Sequence, residues 1–271
     1  MTLPTPRLWL SAAVGLAALA PWANAQNFAY ADQNLLLGIR PAAGNASSSS
    51  LLLNLGPVAN FYNAAPGSSF AIGNAAVVNG AFGSLANLSY SFSAANKSGT
   101  GPTALQSIWV AQAREDLSVQ SDPWLNKSSG NLANTATKIS TLGSGATTLA
   151  SVAGSSGSAV LIPNSDAGHN VGRWVGSGAS GGGGVGNYNG TFQGNAEITS
   201  PASFGANASM RSDLYEVTPG AGQSKYLGYF QVNGNGTATF NAPSAVPEPG
   251  TVALTVAGLA ALVLWRRRSA N

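Results

Sequence analysis

Residues 213–241 read DLYEVTPGAGQSKYLGYFQVNGNGTATFN, and this stretch decides the fold. It holds three short runs rich in apolar and β-favouring residues, at 213–217, 225–232 and 237–241. Thr218-Pro219-Gly220 separates the first two runs, and Asn233-Gly234-Asn235-Gly236 separates the last two. Asn-Gly pairs tolerate positive φ angles and favour tight hairpins. The stretch therefore predicts a meander of three antiparallel strands that pair in chain order.

Four runs nearer the N-terminus have the same strand character. They are residues 33–40 (QNLLLGIR), 50–55 (SLLLNL), 87–93 (NLSYSFS) and 107–113 (SIWVAQA). In the third run, Leu88, Tyr90 and Phe92 alternate with polar residues, which predicts a strand buried on one face only. Together these runs predict a single mainly β domain, an antiparallel β-sandwich-like body with one or two helices.

One segment has helical periodicity. Its apolar positions, spaced by three and four residues, are Leu132, Ala136, Ile139, Leu142, Ala146 and Leu149. Asn131 is the predicted N-cap. Gly143 and Gly145 weigh against a helix, because glycine has a low helix propensity. A shorter helical turn is expected after Gly56, with Pro57 at the first helical position.

The N-terminus has the layout of a secretory signal peptide. Arg7 supplies a positive charge, residues 8–20 (LWLSAAVGLAALA) are apolar, and Ala23-Asn24-Ala25 is a small-x-small cleavage site. We therefore predict a signal helix within residues 1–25, removed by cleavage between Ala25 and Gln26.

The C-terminus carries a second address. Val246-Pro247-Glu248-Pro249 precedes an uncharged apolar run at 251–265, and Arg266, Arg267 and Arg268 follow it. The two prolines prevent a helix from running through the motif and leave it extended, as a protease requires. Fifteen helical residues span about 22 Å, a short membrane crossing whose arginines stay on the cytoplasmic side. The predicted divisions are thus residues 1–25, 26–245 and 246–271.

The order of these features resembles that of the PEP-CTERM proteins, which are exported by Gram-negative bacteria. The resemblance of the tail covers residues 246–268. It implies that secretion machinery exports the chain, that the C-terminal transmembrane helix anchors it transiently in the inner membrane, and that an exosortase, a membrane protease, processes it. The resemblance also implies a final place at the cell surface or in the medium. Such proteins often come from organisms that make exopolysaccharide and biofilm matrix.

The composition excludes several classes of function. Charged residues make up 8% of the chain, and its net charge is +3. Arg7 and Arg266–Arg268 supply four of the twelve basic residues, so residues 26–249 keep eight basic and nine acidic residues, a net charge of −1. We therefore expect no nucleic-acid partner. Cysteine is absent, which excludes thiol nucleophiles and thiolate metal sites. The densest charge group, residues 114–116, is expected to be solvated.

No motif predicts catalysis, a metal site or a cofactor. Residues 176–181 match G-x-G-x-x-G and residues 178–182 match G-x-S-x-G, but consecutive glycines follow, so no helix opens there. His169, three residues after Asp166, is expected to lie in a solvated turn. A glycosidase would need two converging carboxylates, which can be far apart in the chain. The candidates for such a pair are Asp32, Asp122, Asp166, Glu197, Asp213 and Glu216.

Aromatic residues leave a carbohydrate-binding role open. Trp124, Trp174 and Tyr188 are the candidate glycan contacts, because they follow a proline or flank a glycine-rich loop. Trp109 and Tyr229 are expected in the core. The leading prediction is a non-enzymatic structural or adhesive protein of the cell surface or extracellular matrix. The alternatives are a carbohydrate-binding module and a hydrolase that acts on extracellular polysaccharide.

Overall fold

The computed structural model describes residues 28–73, 75–98, 106–153, 157–166, 168–175, 192 and 195–244. Its strands are β1 (Asn34–Pro41), β2 (Ser49–Pro57), β3 (Ser69–Ala71), β4 (Leu88–Ala95), β5 (Ile108–Ala113), β6 (Ala159–Pro163), β7 (Ile198–Thr199), β8 (Ser209–Val217), β9 (Lys225–Asn233) and β10 (Ala238–Asn241). Its helices are α1 (Ala59–Tyr62), α2 (Ala75–Phe82), α3 (Ser129–Ala153) and α4 (Val171–Trp174). All seven predicted strand runs form strands.

The described strands form one antiparallel sheet rather than two. The strand order is β3-β10-β9-β8-β5-β4-β1-β2-β6, and β7 pairs with β4 outside this path. The sheet curls on itself. The mainly β class is confirmed, whereas the predicted sandwich is wrong. Alternation of apolar residues reports that a face is covered, but it does not say whether a second sheet, a helix or the same curled sheet covers it.

The predicted C-terminal meander is confirmed. β8 pairs with β9 and β9 pairs with β10, with Tyr229 opposite both Asp213 and Asn241. The Asn-Gly turn closes the second hairpin: the Asn233 N–H donates to the Thr237 carbonyl at 2.9 Å, and Gly236 has a φ of 88°. The turn chemistry read from the sequence therefore sets the register of this half of the sheet.

The concave face of the sheet encloses an aromatic core. The rings of Phe92 and Phe230 stack with centroids 3.9 Å apart, and Phe61 of α1 meets Phe240 edge to face at 5.1 Å. The two ends of the sheet approach each other here, because a Cβ on Gly73 would stand 3.9 Å from Leu53 Cδ2. The curl lets residues from distant strands bury one another without a second sheet.

Helix α3 covers the convex face. The predicted apolar stripe is confirmed, since Leu132, Ile139 and Leu142 are at most 1% exposed. The predicted N-cap is wrong. The helix begins at Ser129, and the Ser128 carbonyl and hydroxyl accept from the N–H groups of Leu132 and Asn131. Ser128, Ser129 and Asn131 are all residue types that cap helices, so the sequence did not fix which of them begins the helix.

The two glycines that counted against α3 mark close contacts. A Cβ on Gly143 would overlap the ring of Tyr30, and a Cβ on Gly145 would overlap the ring of His169. The helix accepts the low propensity of glycine because two rings lie directly on its backbone. The Tyr30 N–H also donates to Thr147 Oγ1 at 2.9 Å, one turn further along.

Strand β4 is buried on both faces, so the predicted half-buried strand is wrong. All eight of its residues are buried, including Ser89, Ser91 and Ser93. The Ser89 hydroxyl lies 2.8 Å from Thr199 Oγ1, and the Ser91 hydroxyl donates to the Gly38 carbonyl at 3.3 Å. Small hydroxyl side chains look solvent-facing in a sequence, yet here they fit a crowded central strand beneath the convex layer.

The short turn predicted after Gly56 exists as α1, but Pro57 is not its first residue. Pro57 ends β2, Val58 is the N-cap, and the helix begins at Ala59. In the part of the chain that the structure describes, no helix has both the length and the apolar character needed to cross a membrane. The predicted signal helix and the predicted C-terminal helix both fall outside those residues.

Candidate functional site

Several predicted site residues lie outside the described residues. They are Val246, Pro247, Glu248, Pro249, Arg266, Arg267, Arg268, Ala23, Ala25 and Tyr188. The glycine-rich matches at 176–182 also fall there. Trp174 ends α4, but its side chain is not described. The sorting and cleavage roles of these residues, and the glycan roles of Tyr188 and Trp174, stay predictions.

Trp124 is not an exposed glycan contact. Its side chain is packed in the convex core, 6% exposed, with its ring centroid 4.7 Å from that of Phe192 and 5.9 Å from that of Tyr215. The loop after β5 folds back over the sheet and places this ring beside α3. A tryptophan that follows a proline in a polar loop is expected to be exposed, but this loop covers the convex face and buries its tryptophan.

Trp109 and Tyr229, both expected in the core, differ in burial. Trp109 is fully buried, as predicted. Tyr229 is half-buried instead, and the guanidinium carbons of Arg114 and Arg211 lie 4.5 and 4.9 Å from its ring centroid. Cation–π contacts of this kind fix the positions of the two arginine side chains.

Arg114 and Asp213 form a buried ion pair, so the solvated position predicted for Arg114 is wrong. Arg114 Nη2 lies 2.6 Å from Asp213 Oδ1, and the two side chains are 6% and 0% exposed. The Ser121 N–H and hydroxyl donate to Asp213 Oδ2 at 2.7 and 2.8 Å. The carboxylate therefore ties the loop after β5 to β8, and its oxygens are occupied by structural partners.

Other candidate carboxylates are also engaged locally. Glu197 accepts two hydrogen bonds from Arg40, at 2.8 and 2.6 Å. Asp32 accepts from the N–H groups of Lys97 and Ser98. Both carboxylates therefore serve as acceptors for structural partners.

His169 is half-buried rather than fully solvated. Its Nδ1 lies 3.2 Å from Asp166 Oδ2, and its ring packs on the backbone of α3 beside Gly145. The Asp166 oxygen Oδ1 accepts from the N–H groups of Gly168 and His169. Burial alone would raise the pKa of Asp166, but these hydrogen bonds and the adjacent imidazole hold it below its usual value. The arrangement is a local turn anchored on a helix.

The described residues contain no metal-binding group of three or more His, Asp or Glu side chains. An open groove of about 540 Å³ lies at the surface of the described residues. Three segments line it: residues 44–49 between β1 and β2, the end of α2 with the loop that follows, and the edge strand β6. We call this surface the β6 groove. Its lining includes Asn45, Ser47, Phe82, Asn87 and Leu161.

Two residues with positive φ shape the loops of the β6 groove. Gly44 and Asn87 both have positive φ, 93° and 55°, and a Cβ on Gly44 would stand 3.0 Å from Asn87 Nδ2. The Asn45 amide joins the two loops, because it donates to the Ala86 carbonyl and accepts from the Ser47 N–H. Glycine and asparagine are the residues that most readily adopt this conformation.

The sequence gives little local sign of this groove because its three lining segments are about 30 to 115 positions apart in the chain. Asn87 and Leu161 meet only through the pairing of β1, β2, β4 and β6. The available signals were weak: a Gly-Asn turn at 44–45, a serine run after it, and an apolar residue on an edge strand.

Comparison with known proteins identifies the tail. The family model of the PEP-CTERM protein-sorting motif matches residues 245–268. No curated protein and no solved structure matches the chain. The motif implies export, processing by exosortase, which is a membrane protease, and sorting to the cell surface or secretion. The resemblance of the tail is thereby confirmed: the C-terminal region of this chain carries a PEP-CTERM protein-sorting motif.

Proposed function

We propose that the exported body is a non-enzymatic structural or adhesive component of the cell surface or extracellular matrix. The sorting motif at residues 245–268 is the observation that carries the proposal, because it gives the chain an extracellular destination. The transient membrane anchor, the signal peptide and the matrix setting belong to the same proposal. In this scheme the tail holds the body at the outer face of the inner membrane until exosortase releases it.

The chemistry of the body supports a passive role. The carboxylates of Asp213, Glu197 and Asp166 each pair with a cation or imidazole in their own neighbourhood. A general acid needs a proton that points toward substrate, whereas these groups accept hydrogen bonds from structural partners. A surface poor in charge also makes few salt-sensitive contacts, which suits life outside the cell.

The rival proposal is a hydrolase that acts on extracellular polysaccharide. It requires two carboxyl groups about 5–10 Å apart in a cleft. Purified protein incubated with matrix polysaccharide should release no reducing sugar above the background of a boiled sample. Release that disappears in an Asp213→Asn, Glu197→Gln or Glu216→Gln variant of normal stability would overturn the non-enzymatic proposal.

Processing is tested by mass spectrometry of the native protein from membrane, surface and medium fractions. We expect surface and medium forms that begin at Gln26 and lack Arg266–Arg268. A variant with Pro247→Ala and Pro249→Ala should stay in the membrane fraction with its arginines intact. Surface protein that always retains the arginine cluster would refute the processing step.

The structural or adhesive role is tested in the producing organism. A strain without the protein should lose cell aggregation or attachment, and secretion of the processed form from a plasmid should restore it. The matched control is the Pro247→Ala, Pro249→Ala variant, which should stay in the membrane and not restore aggregation or attachment. Normal aggregation, attachment and matrix in the deletion strain would refute the role.

A further inference from the structure

We propose that the β6 groove binds a segment of an uncharged polysaccharide or oligosaccharide. This proposal rests on the adhesive role, and it names the class of ligand to which the body would adhere. Of the glycan contacts expected from the sequence, Trp124 is buried in the convex core instead. The groove is a separate surface at the opposite side of the curled sheet, next to the concave core.

Size and shape favour part of a longer chain. A volume of about 540 Å³ lies within the roughly 300–1,000 Å³ typical of small-molecule sites. The groove is open and one wall is the edge strand β6 rather than a closed loop. An open groove admits the middle of a polymer, whereas a closed pocket takes only a chain end or a small molecule.

Charge selects the kind of ligand. None of the described residues that line the β6 groove carries a charge. A uronic acid or a phosphate placed here would lose hydration without gaining a cation, and burial of an unpaired charge is costly. A neutral sugar has no such penalty, and its hydroxyl groups match amide and hydroxyl side chains, which both donate and accept.

Two asparagines that line the groove have free hydrogen-bonding capacity. Within the described part of the chain, the carboxamide of Asn87 has no hydrogen-bond partner, although it is half-buried against Gly44. The positive φ of Asn87 sets the direction in which its side chain leaves the backbone. Asn45 beside it uses one amide hydrogen and one oxygen lone pair, so it keeps a second of each for a ligand.

Apolar contacts complete the surface. Phe82 at the end of α2 is half-buried, and Leu161 on β6 is 51% exposed. Sugar rings present C–H faces as well as hydroxyl edges, so an aromatic or aliphatic side chain beside amides suits both. Leu161 is one of four exposed large hydrophobic residues in the described chain, and the other three lie in or beside the loop after β5.

The experiment measures binding of the whole chain, in detergent, to immobilised oligosaccharides. The panel pairs neutral oligosaccharides with uronic-acid-containing ones of the same length, and it includes uncharged extended peptides. We expect binding to neutral members, unchanged by salt, since no ion pair forms. Binding only to acidic sugars, binding only to peptides, or no binding at all would overturn the proposal.

Three variants locate the site. Asn87→Gly removes the amide but keeps the positive φ, because glycine adopts it freely, and loss of about one hydrogen bond should weaken binding roughly five- to tenfold. Phe82→Leu keeps the apolar packing and removes the aromatic face, so it should weaken binding several-fold. Leu161→Thr keeps a strand-favouring residue and should also weaken binding.

The matched control is Leu125→Thr, which removes another exposed leucine, 66% exposed, outside the groove. It should bind as the parent does. Equal binding by parent and all groove variants would overturn the assignment of the site. Surface display of each variant is measured in parallel. If the parent is displayed at the surface but binds no glycan, only the glycan-binding proposal for the groove is refuted. If the parent is not displayed at the surface, the proposed function itself is refuted.

Discussion

Replacing Gly143 by alanine tests whether helix α3 requires a glycine where the Tyr30 ring contacts it. In an ordinary helix interior this change stabilises by about 1 kcal/mol, because glycine loses more backbone entropy on folding. Here the new Cβ would overlap the inner end of the Tyr30 ring, at Cγ and both Cδ atoms. Rotation of the ring about its own axis does not relieve an overlap at Cγ. Tyr30 must therefore change its χ1 rotamer or move its backbone.

The backbone of Tyr30 is itself held, since its N–H donates to Thr147 Oγ1 at 2.9 Å. Overpacking in a fixed environment costs about 1–3 kcal/mol. The gain and the cost together leave Gly143→Ala destabilised by up to about 2 kcal/mol. Gly80 in α2 is the matched control, because a Cβ there would meet no atom within 4 Å. Gly80→Ala should stabilise by about 0.5–1 kcal/mol.

The assay is urea unfolding of the whole chain in detergent, followed by tryptophan fluorescence. The two variants should move the midpoint in opposite directions with unchanged slope. A Tyr30→Ala change added to Gly143→Ala should recover part of the loss, and the double-mutant cycle should give a coupling of about 1 kcal/mol or more. If Gly143→Ala stabilises as much as Gly80→Ala does, the close contact between Tyr30 and α3 is refuted.

Three further predictions concern stability and use the same unfolding assay. Arg114→Ala should destabilise by about 3–5 kcal/mol, because it leaves the Asp213 carboxylate buried without its cation; a loss under 1 kcal/mol, within the range of exposed pairs, would contradict the buried pair. Gly234→Ala should be strongly destabilising, since its Cβ would overlap the backbone of Gly205, whereas Gly205→Ala should be close to neutral, since its Cβ would meet only Ser203 O at 4.0 Å. Trp124→Ala should cost about 3–5 kcal/mol as a core deletion; a stable protein that loses only glycan binding would instead return Trp124 to the surface.

Local chemistry predicted the strands well. The runs at 33–40, 213–217 and 225–232 each became a strand because apolar periodicity and turn residues act over a few positions. The Asn233–Gly236 turn closes its hairpin for the same reason. The sequence did not predict which part of the chain covers each face of the sheet. Strand β4 looked half-exposed because Ser89, Ser91 and Ser93 are small and polar, but its neighbours bury both faces.

The candidate site was less predictable. Asn87, Phe82 and Leu161 carry no motif, and they become neighbours only after β1, β2, β4 and β6 pair. Trp124 illustrates the opposite error. Its local context suggested exposure, yet the hydrogen bonds from Ser121 to the buried Asp213 carboxylate hold its loop over the sheet. Long-range contacts of this kind leave no signal at short sequence separation.

By itself, the sequence determined the destination, the mainly β class and the antiparallel meander at residues 213–241. A sorting tail is read as a linear peptide, and strands and tight turns follow from local propensity, so neither depends on distant parts of the chain. Only the tertiary structure decided that one curled sheet replaces two, that Gly143 and Gly145 admit rings onto α3, and that the β6 groove exists. Each of those features requires the packing of segments far apart in the chain, and the energy of such packing depends on shape in three dimensions.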